Sequence, residues 1–306
     1  MAWFFLVWGS LIAGLVLSFV WWLIWGRRTR LSAGSVGVIS LAAGLLLVGA
    51  QAVVRLMGTG ATTLLPSAIS REFWDWYGDH RFAVPLLLGI LGMVVLAFPI
   101  RARSGRGAAE IKPRTPVSFS RRRWFITPAL TLAFILVLTV IAGMASQPDS
   151  TTGEYTMYFV DLGGGRGMGT GIYGWFYSVP CLILTAVMIM VAMFDLFLIA
   201  RPALNRNVAR DESIRMIRTR NVLAVGTGAL LMHLGVVFGS LAGTASVRSS
   251  FPTSEGSVAF WTTFAALEPA LAGASSVTAA VGIAFWTSVA LSAIPSRRLT
   301  SLAVES

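Results

Sequence analysis

Seven long apolar runs, separated by short polar stretches, divide this chain. They cover residues 3–25, 33–57, 82–100, 124–145, 174–200, 221–244 and 275–294. Each is close to the ~20 residues that a helix needs to cross a hydrocarbon core. The expected fold class is therefore all-α: a polytopic integral membrane helix bundle with seven transmembrane helices in a single membrane domain, 1–306.

The last apolar region, 260–294, is too long for one perpendicular span. Its part from Ser275 to Ile294 is read as the membrane segment, with a lead-in from Phe260 to Ala274 bent at Pro269. The second run is rich in glycine and alanine, which let neighbouring helices approach closely. Ahead of the third run, residues 70–80 mix acids with Phe73, Trp74, Trp76 and Tyr77, as suits a short element lying in the interface. Trp3 and Trp8 at one end of the first run, and Trp21, Trp22 and Trp25 at the other, suit the two interfacial belts.

Charge orients these runs. Residues 101–124 hold eight of the 24 basic residues and a single acid, Glu110. Such a loop stays on the cytoplasmic side. The segment 201–220 carries six arginines, and Arg27, Arg28 and Arg30 follow the first run at once. A secretory signal peptide has the opposite layout, so the first run is expected to be a retained anchor with its N-terminus outside. The C-terminus, with Arg297 and Arg298, falls inside. The cytoplasmic loops are then 101–123 and 201–220, and the outer loops are 58–81, 146–173 and 245–274. Only Arg55, Arg71, Arg81, Arg166 and Arg248 lie on the outer side or its span edges, where most of the acids also fall.

Composition agrees with this placement. Charged residues make up 12% of the chain, against roughly 25% in ordinary soluble domains, and apolar residues make up 56%. A net charge of +11 would suit nucleic acid, but the basic residues sit in short connections between apolar spans, so no nucleic acid is expected. The expected partners are membrane lipids and other membrane protein subunits, in the cell membrane. Arg121, Arg122 and Arg123 are the expected contact for anionic headgroups, at about 1 kcal/mol per basic residue close to the surface.

A faint repeat runs through the chain. Tyr77-Gly78 precedes Val84-Pro85, Tyr173-Gly174 precedes Val179-Pro180, and Pro269 sits comparably ahead of the last span. This pattern suggests three helix hairpins of one orientation after one extra helix, an arrangement found in some transporters.

Few residues inside the spans carry chemistry. His233 and Asp195 lie at membrane depth, where ionisable groups are costly and often functional. The structural readings are a neutral imidazole hydrogen-bonded between helices for His233, and an ion pair with an inner-face arginine for Asp195. Gln51 reads as interhelical glue. Glu268 beside Pro269 reads as a solvated carboxylate in the outer interface. One cysteine, Cys181, excludes an intramolecular disulfide and any multi-cysteine metal site.

Sharper chemistries fail on the residues. A retinal Schiff base needs a lysine in the last span, and the only lysine is Lys112 in a loop. A b-type haem needs paired histidines at depth, and only His233 qualifies. His233-Leu234-Gly235 with Gly273-Ala274-Ser275 reverses the serine-before-histidine order of rhomboid proteases. Gly169-x-Gly171-x-x-Gly174 has the form of a dinucleotide fingerprint but leads into a transmembrane span, so it is read as a flexible connection. No cofactor is expected.

Three functions follow, in this order. The first is a non-catalytic accessory, sensor or scaffold subunit of a membrane complex. The second is a permease or transporter subunit for a small molecule or lipid. With no Walker A sequence, an ATP-driven version would need a separate cytoplasmic ATPase. The third is an intramembrane enzyme, resting on His233 and Glu268 alone.

Overall fold

The computed structural model of the chain describes residues 2–24, 35–58, 67–98, 123–163, 166–200, 208–253 and 256–294. Eight helices carry the fold: α1 (Ala2–Ile24), α2 (Ser35–Gly58), α3 (Ser67–His80), α4 (Val84–Ala97), α5 (Arg123–Ala145), α6 (Trp175–Ala200), α7 (Val208–Ser246) and α8 (Glu268–Leu291). Strands β1 (Gln147–Pro148), β2 (Tyr155–Gly163) and β3 (Arg166–Gly171) follow α5, and β4 (Arg248–Thr253) and β5 (Gly256–Trp261) follow α7. Among the described residues, six helices are long and apolar enough to cross a membrane, or up to seven if the bent pair α3–α4 makes one span. The chain is thus an all-α, multi-pass membrane bundle.

The organising element is α7. Of its window Asp211–Ser246, 83% is buried inside the protein, against 17% for the windows in α1 and α5. Its 39 residues run for about 58 Å at ~1.5 Å per residue, well beyond a ~30 Å hydrocarbon core. Small residues let its neighbours close in. The Trp286 ring of α8 lies where a side chain on Gly228 would point, with a Cβ placed there only 2.5 Å from it. Gly44 of α2 meets Ala290 of α8 in the same way. Trp286, fully buried, donates its indole N–H to the Val225 carbonyl at 3.1 Å. Away from α7 the surface is apolar, from Ile183 at 61% exposed to Met144 at 77%, as lipid-facing side chains should be.

Four expectations change. The third run becomes α4, whose 14 residues reach only about 21 Å, preceded by α3 at an 85° bend. Pro85, in the first turn of α4, begins the new helix without losing a hydrogen bond. The basic connection 201–220 is helix from Val208 onward, and Asp211, Arg215 and Thr219 are buried in it. In the last apolar region, Phe260 and Trp261 belong to β5, and α8 starts at Glu268. Pro269 sits in its first turn and starts the helix; it does not bend it.

The fourth change concerns 146–173, expected to be a flexible connection. It folds into the three-stranded antiparallel sheet β1-β2-β3. Tyr155–Val160 is rich in the aromatic and β-branched residues that favour strands. One facing glycine is covered, since Gly169 pairs with Phe159 and its open face is filled by the Phe159 ring. The β4–β5 hairpin stands in the equivalent place between α7 and α8. The Tyr158 and Thr263 hydroxyls lie 2.6 Å apart, and the Tyr158 ring meets Phe264 edge-on, so the two connections form one platform. The proline pairing behind the sequence repeat does not carry over in register, because Pro180 lies inside α6 whereas Pro85 and Pro269 open their helices.

Arg121 and Arg122 lie outside the described residues, and of Arg123 only its place at the start of α5 is described.

Candidate functional site

Polar groups inside the bundle gather along α7 at three levels. Farthest from the platform, Arg215 pairs with Asp211 one turn away at 2.7 Å, and its Nη1 donates to the Ile199 carbonyl at the end of α6. Nearly two turns further along, Asn221 is 1% exposed and donates both amide hydrogens, to Ser40 of α2 and to Ser292 at the end of α8, each at 2.9 Å. A single side chain therefore ties three helices together.

His233 marks the third level and is fully buried. Its Nδ1 lies 2.8 Å from the Phe82 carbonyl oxygen in the α3–α4 turn. A carbonyl only accepts, so Nδ1 carries a hydrogen. Nε2 faces the Tyr173 hydroxyl, 3.4 Å away, and accepts from it when the ring is neutral. Phe82 packs against both Tyr173 and Tyr177, with ring centroids 4.7 and 5.0 Å away, which holds its carbonyl in place. Both ring nitrogens are thus occupied.

Asp195 does not form the expected contact. It is 1% exposed, and among the described residues neither carboxylate oxygen accepts a hydrogen bond. Arg218, which interacts with it electrostatically, points a guanidinium nitrogen at the Leu96 carbonyl, 3.4 Å away. The close arginine–aspartate pair of this region lies within α7 instead, where i,i+4 spacing brings Arg215 and Asp211 together. Glu268 is the half-buried first residue of α8, a position where the helix dipole favours a carboxylate.

Gln51, buried in α2, belongs to a different feature. A cavity of about 630 Å³ opens at the platform end between α1, α2, α3, α7 and α8. Gln51, Arg55, Trp74, Tyr77 and Arg81 line one wall, and the small residues Gly235, Gly239, Ser240 and Gly243 of α7 line another. Arg55 donates to the Val7 carbonyl of α1. Arg81 stacks on the Phe82 ring, 4.9 Å from its centre, beside the carbonyl that holds His233.

Sequence reasoning passed over Asn221, the Arg215–Asp211 pair, and Arg55 with Arg81. The last two did carry a signal, as basic residues on the side that the charge pattern otherwise leaves acidic. Among the described residues, no group of three or more His, Cys, Asp or Glu is placed to hold a metal ion.

Fold and interior together define a multi-pass membrane helix bundle built around one long central helix. Comparison with protein-family models, curated proteins and solved structures finds no match to this chain.

Proposed function

We propose that the protein is a non-catalytic, seven-span component of the cell membrane, serving as an accessory, sensor or scaffold subunit beside other membrane proteins. Its N-terminus lies outside and its C-terminus in the cytoplasm, following the basic segments 101–123 and 201–220. Arg121, Arg122 and Arg123 then contact anionic headgroups at the inner face.

One observation supports the subunit reading above the rest: both long outer connections are folded and locked to one another. The Tyr158–Thr263 contact joins the sheets, and Thr244 ties them to the end of α7 by donating to the Gly171 carbonyl at 2.7 Å. Apolar side chains stand out from this platform at Tyr155, Phe159, Val258 and Trp261. An ordered, partly apolar surface at the membrane border is what a partner subunit needs. The interior polar groups, by contrast, are spent on holding helices: His233 uses both nitrogens and Asn221 both amide hydrogens.

The test is complementation of a strain lacking the gene. Asp195→Asn, Glu268→Gln and His233→Asn should restore its phenotype, whereas Phe159→Ser with Trp261→Ser should be stably inserted and fail. Loss of function in a stable Asp195→Asn or His233→Asn variant would favour the enzyme or transport classes.

The cavity favours a second reading, a permease subunit for a small molecule or lipid, because it reaches the middle of the bundle from one side. A cysteine at Gln51 would then react with impermeant reagents from both sides of the membrane, in turn, as the protein cycles. Orientation is tested separately, with Cys181→Ser and single cysteines at Ser104, Ser150 and Glu212. Reagent added outside should label position 150 alone.

A further inference from the structure

Arg55 and Arg81 come from different elements, the end of α2 and the α3–α4 turn, yet line the same cavity. Each has its Nε buried, and among the described residues neither Nε has a hydrogen-bond partner. A buried donor left without an acceptor is costly, and more so when it is charged. Among the described residues, no carboxylate lines the cavity. The acids of α3, Glu72, Asp75 and Asp79, are exposed on another face. Two guanidinium groups thus share a pocket that no carboxylate among the described lining residues neutralises.

The remaining walls say what kind of anion fits. Ser10, Gln51 and Ser240 add neutral donors to the same lining. Met232 and Val236 of α7, with Gly235 and Gly239 between and beyond them, and Ala279 of α8 make an apolar wall, and Val54 of α2 adds to the apolar lining. The pocket extends along α7 from Thr244 to Met232, twelve residues or about 18 Å. At about 630 Å³ it lies within the range of ligand pockets, roughly 300–1,000 Å³. A small inorganic anion would satisfy the arginines and leave the apolar wall uncovered. Trp74 and Tyr77 stand beside the arginines, and such side chains suit the level of lipid headgroups.

We propose that this cavity binds one anionic phospholipid, its phosphate held between Arg55 and Arg81 and its acyl chain laid along the Met232–Ala279 wall. Planar guanidinium groups match phosphate oxygens in a two-pronged geometry that an ammonium cannot reproduce. The lipid is a resident of the platform end, opposite the basic segments that attract headgroups by charge alone. It also touches the turn that carries Phe82, so its binding bears on the His233 contact.

The experiment uses the full chain in detergent and in nanodiscs, in a background with Arg121, Arg122 and Arg123 changed to glutamine. That background removes the other lipid contact, so failure there and failure here are read apart. Native mass spectrometry should show one phosphatidylglycerol retained per chain, and neither phosphatidylcholine nor millimolar inorganic phosphate should displace it. Arg81→Gln should weaken retention by about tenfold, the scale of one charge-assisted hydrogen bond, and adding Arg55→Gln should abolish it. Phosphatidylglycerol with brominated chains should quench tryptophan fluorescence in the parent and less in Trp74→Phe. Arg55→Gln gives up the bond to Val7, so Arg81→Gln, checked by thermal unfolding, is the decisive single change. Unchanged phosphatidylglycerol retention in a folded Arg81→Gln protein would overturn the proposal. Displacement by inorganic phosphate would equally overturn it, in favour of a free-anion site.

Discussion

His233 holds the Phe82 carbonyl at 2.8 Å across the bundle, although the two residues are 151 positions apart in the chain. That one contact joins the central helix to the bend between α3 and α4, where the polypeptide turns through 85°. A carbonyl at such a bend has no helical donor of its own, so the imidazole completes the turn and fixes the start of α4.

Replacing His233 therefore tests the bend. His233→Ala should lower thermal stability by roughly 0.6 kcal/mol for each bond lost, the usual scale of such bonds in membranes. It should lower it further through the cavity left behind. His233→Gln, whose amide both donates and accepts, should recover part of the loss. Unfolding curves of the three proteins in one detergent decide the matter. A stable glutamine variant that fails complementation would point to proton transfer or ligand binding at this residue.

Asn221 offers an independent measure of helix-to-helix bonding. Asn221→Leu keeps the volume and removes both donors to Ser40 and Ser292. Stability should fall by on the order of 1 kcal/mol. In the Ser40→Ala, Ser292→Ala background the same change should cost much less. Equal costs in the two backgrounds would mean that packing, not hydrogen bonding, joins α2, α7 and α8.

The pair of Arg215 and Asp211 should show the asymmetry of buried charges. Asp211→Asn removes the charge paired with the buried arginine and should cost up to about 3–5 kcal/mol, whereas Asp211→Leu with Arg215→Met should cost considerably less. Denaturant titration of the variants reads both. A double variant as unstable as the single one would show that the Arg215 bond to Ile199 is the larger contribution.

A pH effect is expected at the platform. The Asp149 carboxylate accepts hydrogen bonds from the Thr151 and Thr152 backbone N–H groups, which hold its carboxyl below the usual range. Because the folded value is the lower one, the contribution to the turn is complete above the ordinary carboxylate pKa of about 3.9. It is lost as the pH falls through the folded value. Amide exchange at Thr151, corrected for intrinsic rates, should be protected at pH 6 and unprotected near pH 2. Asp149→Asn should remove that pH dependence.

The length and apolarity of the runs were enough to read a multi-pass helix bundle, because each run must satisfy its own backbone within the bilayer. His233 was also legible as an interior imidazole in need of a partner, since a lone polar ring among Leu231, Met232, Leu234 and Val236 has no other way to meet its hydrogen-bonding needs. Its partners were not legible. Phe82 and Tyr173 are brought there by the α3–α4 bend and by the connection from β3 to α6, and nothing in local spacing encodes contacts over 151 and 60 residues. The same holds for α7. By sequence its apolar part resembles the other spans, and its burial arises only when α4, α5, α6 and α8 close around its small residues. The glycine-rich stretch after α5 reads as a loose loop until the Phe159 ring of the facing strand covers Gly169. For Asp195, nearness in sequence to many arginines did not say that Arg218 would interact with it electrostatically without a hydrogen bond, because tertiary packing decides which guanidinium turns toward it. Chain chemistry set which segments enter the membrane, and packing decided which helix stands at the centre and which polar groups meet across it.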